Sequence, residues 1–218
     1  SGVVAATSTA EPARAIAAVE MLQSKRVDGM IVTSSRIGAL YQEYLDRLGV
    51  PVVLINSHSQ QRGPYTFSVN VDNLHGGVLA TEHLVRLGHR RIAYVGAAAN
   101  HSDDQARLAG YQEALSQAGI PFVPGLVLQA NGRASGGERA WAQLLAQEPP
   151  TAVFCYNDMT AIGLMRAARR SGWAFPRDLA VVGFDDIPFA SYVQPALTTV
   201  AQPKGEMGRK AVEMALAL

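Results

Sequence analysis

The stretch Ala152-Val153-Phe154-Cys155-Tyr156-Asn157-Asp158-Met159-Thr160-Ala161-Ile162-Gly163-Leu164-Met165 decides how the chain is read. Its first five residues are apolar without alternation, as in a strand covered on both faces. Two short polar residues follow, and then a helical pattern in which Ala161, Leu164, Met165 and Ala168 recur at i, i+3, i+4 and i+7. Arg166, Arg169 and Arg170 occupy the opposite face of that helix. Strand, polar turn and amphipathic helix make one unit of a parallel α/β sheet.

Outward from there the same unit recurs. Strands are expected at 3–6, 29–33, 52–55, 67–71, 91–95, 126–128, 152–156 and 179–183. Helices are expected at 12–24, 38–48, 74–87, 104–118, 135–147, 159–170 and 205–218. Leu87-Gly88 and Ala118-Gly119 mark helix ends, and Asp158 stands where an N-cap belongs. These strands exceed what one doubly wound sheet of this length needs. The polar stretch Gln60-Gln61-Arg62-Gly63-Pro64 therefore places a crossing between two domains soon after it, near Asn70 to Asp72.

Composition excludes several classes. Across 218 residues the chain is 48% hydrophobic, enough to fill real cores, and only 17% charged. Nineteen basic against eighteen acidic residues leave +1, so no broad field attracts a polyanion. No apolar run approaches the roughly 20 residues of a membrane span. The lone thiol, Cys155, forms no internal disulfide, consistent with a reducing, cytoplasmic setting. The first residues lack the basic start of a secretory signal, and both ends look cut: Ser1 opens in a strand-like run and Leu218 closes an apolar helix without a stop signal.

Ligands of open α/β sheets bind beyond the carboxyl ends of the strands, so polar residues there matter most. Asn56-Ser57-His58, Asn157-Asp158 and Asp185-Asp186 occupy such positions. Asp158 is explained as a cap and Asp186 can cap a short helix; Asn157 and Asp185 have no such duty and read as ligand contacts. Arg107, near the start of a helix, adds a guanidinium. Carboxylate, amide and guanidinium together suit a polyhydroxylated small molecule, whose hydroxyls both donate and accept. Tyr156, Phe184 and Trp141 offer apolar platforms for a sugar ring, or core.

Catalytic readings do poorly. The sequence has no Gly-x-Ser-x-Gly, phosphate loop, dinucleotide fingerprint or His-Glu-x-x-His. Cys155 lies in an apolar strand and reads as a buried hydrophobe. His75 and His83 fall about 80° apart around one helix, which makes no two-ligand face. No catalysis, metal or cofactor is expected. The basic run Arg86-Leu87-Gly88-His89-Arg90-Arg91 sits at a helix C-terminus, where the dipole favours cations.

Several motifs are similar to those of one family. Arg26-Val27-Asp28-Gly29-Met30-Ile31-Val32, Val71-Asp72-Asn73, Thr81-Glu82-His83-Leu84 and Leu87-Gly88-His89-Arg90-Arg91-Ile92-Ala93-Tyr94-Val95-Gly96 resemble the lactose repressor/galactose repressor (LacI/GalR) family of bacterial transcription regulators. Arg107-Leu108-Ala109-Gly110-Tyr111, Asn157-Asp158-Met159-Thr160-Ala161-Ile162-Gly163, Val181-Val182-Gly183-Phe184-Asp185-Asp186 and Leu197-Thr198-Thr199-Val200-Ala201-Gln202-Pro203 continue the likeness, as does Met207-Gly208-Arg209.

The resemblance implies an effector-binding region of two doubly wound parallel-sheet subdomains, like the type I periplasmic binding proteins, with a ligand cleft between them. The N-terminal subdomain would comprise 1–70 and 203–218, and the C-terminal one 71–202. Arg107, Asn157 and Asp185 then become effector contacts, joined by Asp72, Gln202 and Asn131. Asn131 departs from the aromatic residue that relatives often place there, which favours a sugar-like effector over a purine. The resemblance further implies a homodimer and operator DNA read by an N-terminal helix-turn-helix that precedes this sequence. The alternative is a periplasmic solute-binding protein of a sugar transporter, which shares the fold.

Overall fold

A computed structural model describes residues 12–33, 49–56, 66–98 and 101–217. The strand expected at 3–6, the helix expected at 38–48 and the loop position Ser57-His58 lie outside them. The chain divides into two compact units, Ser1–Val71 with Pro203–Leu218, and Asp72–Gln202.

In the first unit, β1 (Met30–Thr33), β2 (Val52–Ile55) and β3 (Thr66–Val69) pair in parallel in the order β1-β2-β3. Alternation along β2 sends Val52 and Leu54 to one side, against Val19 of α1 (Pro12–Ser24). Val53 faces the other side, where Met207 and Ala211 of α7 (Lys204–Leu216) cover it.

The second unit is a five-stranded parallel sheet, β5-β4-β6-β7-β8. In chain order its elements are α2 (Asn73–Arg86), β4 (Ile92–Val95), α3 (Ser102–Gln117), β5 (Val127–Leu128), α4 (Ala134–Leu145), β6 (Ala152–Cys155), α5 (Asp158–Arg170), β7 (Ala180–Asp185), α6 (Pro188–Tyr192) and β8 (Thr198–Ala201). The strand expected at 126–128 is shorter, because a 3-10 turn takes Pro124–Leu126.

Helices cover both faces, which is why the central strands are apolar throughout. Ile92, Tyr94, Ala152 and Phe154 pack against Ala80, Leu84, Tyr111 and Leu115 of α2 and α3. Ala93, Val95, Val153 and Cys155 pack against Trp141, Leu144, Leu164 and Ala168 of α4 and α5. Each helix pair is closed by glycine. A Cβ on Gly77 would strike the Arg107 carbonyl, and one on Gly110 the Leu74 carbonyl; Gly137 and Gly163 play the same part against Thr160 and Ala134. Burying two faces through such contacts leaves the loops at the carboxyl ends of β4, β6, β7 and β8 as the place where polar groups gather.

Candidate functional site

Arg107 organises the carboxyl end of the second sheet. The backbone contact at Gly77 and Gly110 sets α3 tightly on α2 and brings Arg107 beside Asn73, the first residue of α2. The Arg107 side chain is only 3% exposed. A buried guanidinium is stable only where its charge and its N–H groups are matched. Here Nε donates to Asn73 Oδ1 at 2.9 Å and Nη1 to the Tyr156 carbonyl at 2.5 Å. Its Cζ lies 3.6 Å from the Phe184 ring centroid and 4.6 Å from that of Tyr156, so both aromatic faces stabilise the cation. Asn73 Nδ2 in turn donates to Asp103 Oδ1 at 3.2 Å, and both residues are buried.

Asp185 meets this cluster from β7. Its carboxylate lies 3.8 Å from Arg107 Nη1 and accepts from Gln202 Nε2 at 2.6 Å. The parallel register sets Asp185 opposite Ala201, so the residue that follows β8 falls beside the carboxylate. Asp185 and Asp186 both have positive φ, 107° and 50°, which turns the chain sharply where β7 ends. At 26% side-chain exposure, Asp185 presents its carboxylate partly to solvent.

The structure thus brings Arg107, Asp185 and Gln202 together. The other expected contacts are engaged locally. Asn157, and not Asp158, is the N-cap of α5: its Oδ1 accepts from Thr160 N at 2.9 Å while Nδ2 donates to the Gly132 carbonyl at 3.0 Å. Asp158 is fully buried and accepts from Ile187 N and Thr199 Oγ1. Nor does Asp186 cap α6, whose N-cap is Ile187 with no side-chain bond. Asn131 closes a turn, accepting from Arg133 N at 3.1 Å and donating to Ser135 Oγ at 3.4 Å. Asp72 caps α2 by accepting from His75 N at 2.9 Å.

Two residues of the cluster, Asn73 and Asp103, had no role in the sequence reading. The signal lay in Gly77 and Gly110, whose spacing permits the helix contact that aligns them with Arg107. Of the expected platforms, Tyr156 and Phe184 flank Arg107, whereas Trp141 packs in the core on the other face and donates to Ser171 Oγ. Tyr156 also meets His101, ring to ring at 5.4 Å. Burial pushes the Tyr156 hydroxyl well above its ordinary range; Arg107 opposes that shift, and Asp103, Asp185 and Asp104 add to it. The phenol therefore stays a neutral hydrogen-bonding group.

A guanidinium, an amide and a partly exposed carboxylate meeting at one end of the sheet are the groups that exchange hydrogen bonds with a hydroxylated molecule. Among the described residues no group of His, Cys, Asp and Glu could hold a metal ion. Burial, first, and then Asp158 drive the Cys155 thiol far up, so it forms no thiolate nucleophile. The basic run is tied down structurally: Arg86 pairs with Glu82, Arg90 donates to the Ala118 carbonyl and Arg91 to that of Glu148.

The profile of the periplasmic binding protein-like domain family matches residues 81–218. A regulatory protein of the LacI family from Chloroflexus aggregans has a solved structure that superimposes with a TM-score of 0.82 at 32% identity, over 96% of this chain and 75% of that one. This chain belongs to the LacI family. The HTH-type transcriptional repressor PurR of Erwinia tasmaniensis is 38% identical over 200 residues, 91% of this chain; the chain spans 58% of that repressor's length. The transcriptional regulator CelR, solved with cellobiose, aligns at TM-score 0.85 and 32% identity, over 94% of this chain and 63% of its own. The LacI-family likeness covers the effector-binding part and carries the α/β, parallel-sheet, periplasmic-binding-protein-like architecture. These relatives are transcription regulators and not transporter components.

Proposed function

We propose that this chain is the effector-sensing part of a bacterial transcription regulator, and that its effector is a sugar or sugar derivative held without chemical change. The observation that carries this is the Arg107, Asp185 and Gln202 cluster: a guanidinium, a partly exposed carboxylate and an amide meet at the carboxyl ends of adjacent strands. Arg107 and Asp185 clamp neighbouring hydroxyls, and Asn157, Asn131 and Asp72 complete the rim. A related regulator bound to cellobiose supports the same ligand class. Effector binding favours one conformation by its differential affinity and so alters DNA affinity. In this reading operator DNA is bound through an N-terminal helix-turn-helix, as the names of the HTH-type repressors to which the chain is similar suggest.

The regulator works as a cytoplasmic homodimer in this reading. Tyr192, 79% exposed, lines a groove with Ile162, Met165 and Val193 together with Arg166, Arg169 and Arg170, and Phe189 of the same short helix is 65% exposed; a mixed apolar and arginine-bearing surface of this kind suits a subunit contact. Calorimetric titration against neutral sugars, sugar phosphates and nucleobases tests the site. Binding of a sugar that is lost in Asp185→Ala and in Arg107→Ala is the expected result. Unchanged affinity in both variants overturns the assignment, and turnover of the sugar overturns the non-enzymatic reading.

A further inference from the structure

Asp158 is fully buried, yet it is a carboxylate at the start of α5, one residue past the N-cap. The helix N-terminus favours its negative charge. A charge in that position still needs specific donors. Its Oδ2 accepts from Ile187 N at 2.8 Å, and its Oδ1 accepts from Thr199 Oγ1 at 2.5 Å. Thr199 Oγ1 accepts in its turn from Asp186 N at 3.3 Å. Room for the carboxylate is made by Gly183, where any Cβ would collide with Asp158 Oδ1.

All of these bonds converge on one turn. Asp185 and Asp186 are consecutive non-glycine residues at φ 107° and 50°. Side chains with a Cβ disfavour that region, and such residues persist only where their surroundings over-determine them. Asp158 and Thr199 hold the amides of Asp186 and Ile187, immediately after the carboxylate that meets Gln202 and Arg107. We propose that Asp158 and Thr199 are positioning residues: a latch, buried at Asp158 and half-buried at Thr199, that keeps the Asp185–Asp186 turn in its left-handed form and thereby aims Asp185 at the effector. The latch rests on the effector-binding reading for its purpose, but its geometry can be tested without a ligand.

Thr199→Val keeps the volume and removes the hydroxyl, Thr199→Ser keeps the hydroxyl, and Thr199→Val/Asp186→Gly relieves the backbone strain where the bond is missing. Amide NMR of the full chain reads the Arg107 Nε–H, the Gln202 side-chain amide and the exchange of the Asp186 and Ile187 amides. Calorimetry with D-ribose and with cellobiose reads affinity.

Thr199→Val is expected to speed those two amides about tenfold, shift the Arg107 and Gln202 signals, and weaken sugar binding about tenfold. Thr199→Ser stays close to wild type, and the glycine double variant recovers the signals and most of the affinity. Faster exchange at Asp186 and Ile187 with unmoved Arg107 and Gln202 signals and unchanged affinity overturns the latch, as does a double variant no better than Thr199→Val. If Thr199→Val does not fold, Asp158→Asn, of the same volume, is read by the same signals. Should wild type bind neither sugar, the effector reading loses its support while the NMR comparison still decides the latch.

Discussion

Two arginines, Arg91 just before strand β4 and Arg107 in the second turn of the helix that follows it, show how differently the same group is used. Arg91, just before β4, is 28% exposed and donates Nε and Nη2 to the Glu148 carbonyl, with the Glu148 carboxylate 3.8 Å away. Arg107, beyond the other end, is buried between two aromatic rings and bonded to an amide that is itself bonded to a carboxylate. The first ties a loop to a strand and water can replace it. The second depends on groups from α2, α3, β7 and the turn that follows β6 at once, so its loss leaves several buried groups without a partner. Dependence of this kind marks a cluster built from several elements, whereas a cation on a carbonyl marks a local tie.

The contrast is sharpest if it is broken at Arg107. Arg107→Ala should cost about 3 kcal/mol in urea unfolding and abolish effector binding, whereas a cost near that of a surface change would equate the two arginines. Gly110→Ala attacks the same site from a distance, by forcing α3 off the Leu74 carbonyl of α2. About 2 kcal/mol of destabilisation is expected, together with altered resonances for Asn73 and Arg107. At the other end, Arg91→Ala should cost about 1 kcal/mol and leave sugar affinity unchanged; a binding defect there would show that the two ends communicate. Smallest is the effect at Cys155. Cys155 is fully buried in β6, so labelling by a disulfide reagent in mildly alkaline buffer should proceed no faster than the chain unfolds; faster labelling would show that the core opens locally.

The α/β order was legible because parallel strands with helices on both faces are apolar at every position, and β4 and β6 are buried throughout. Strand β8 was not seen: Thr198-Thr199-Val200-Ala201 is an edge strand with no fully buried residue, so no apolar run announces it. Asp185 and Arg107 were singled out by their positions in the strand-and-helix pattern and by family motifs, and the structure sets them 3.8 Å apart. Asn157 and Asp158 were assigned the wrong way round as caps, because either side chain can cap and only the three-dimensional placing of Ile187 and Thr199 draws Asp158 inward. Asn73 and Asp103 stayed hidden for a related reason. Their partnership joins the starts of two helices, and only close backbone packing at Gly77 and Gly110 creates it.

The glycine-to-carbonyl contacts within α2 with α3, and within α4 with α5, have a consequence for how this domain can diversify. Those seams tolerate no added atom, so the scaffold is frozen, while turn positions such as Asn131 and Gln202 border it without supporting it. A descendant sensing a different molecule would be expected to change its rim and to keep its seams.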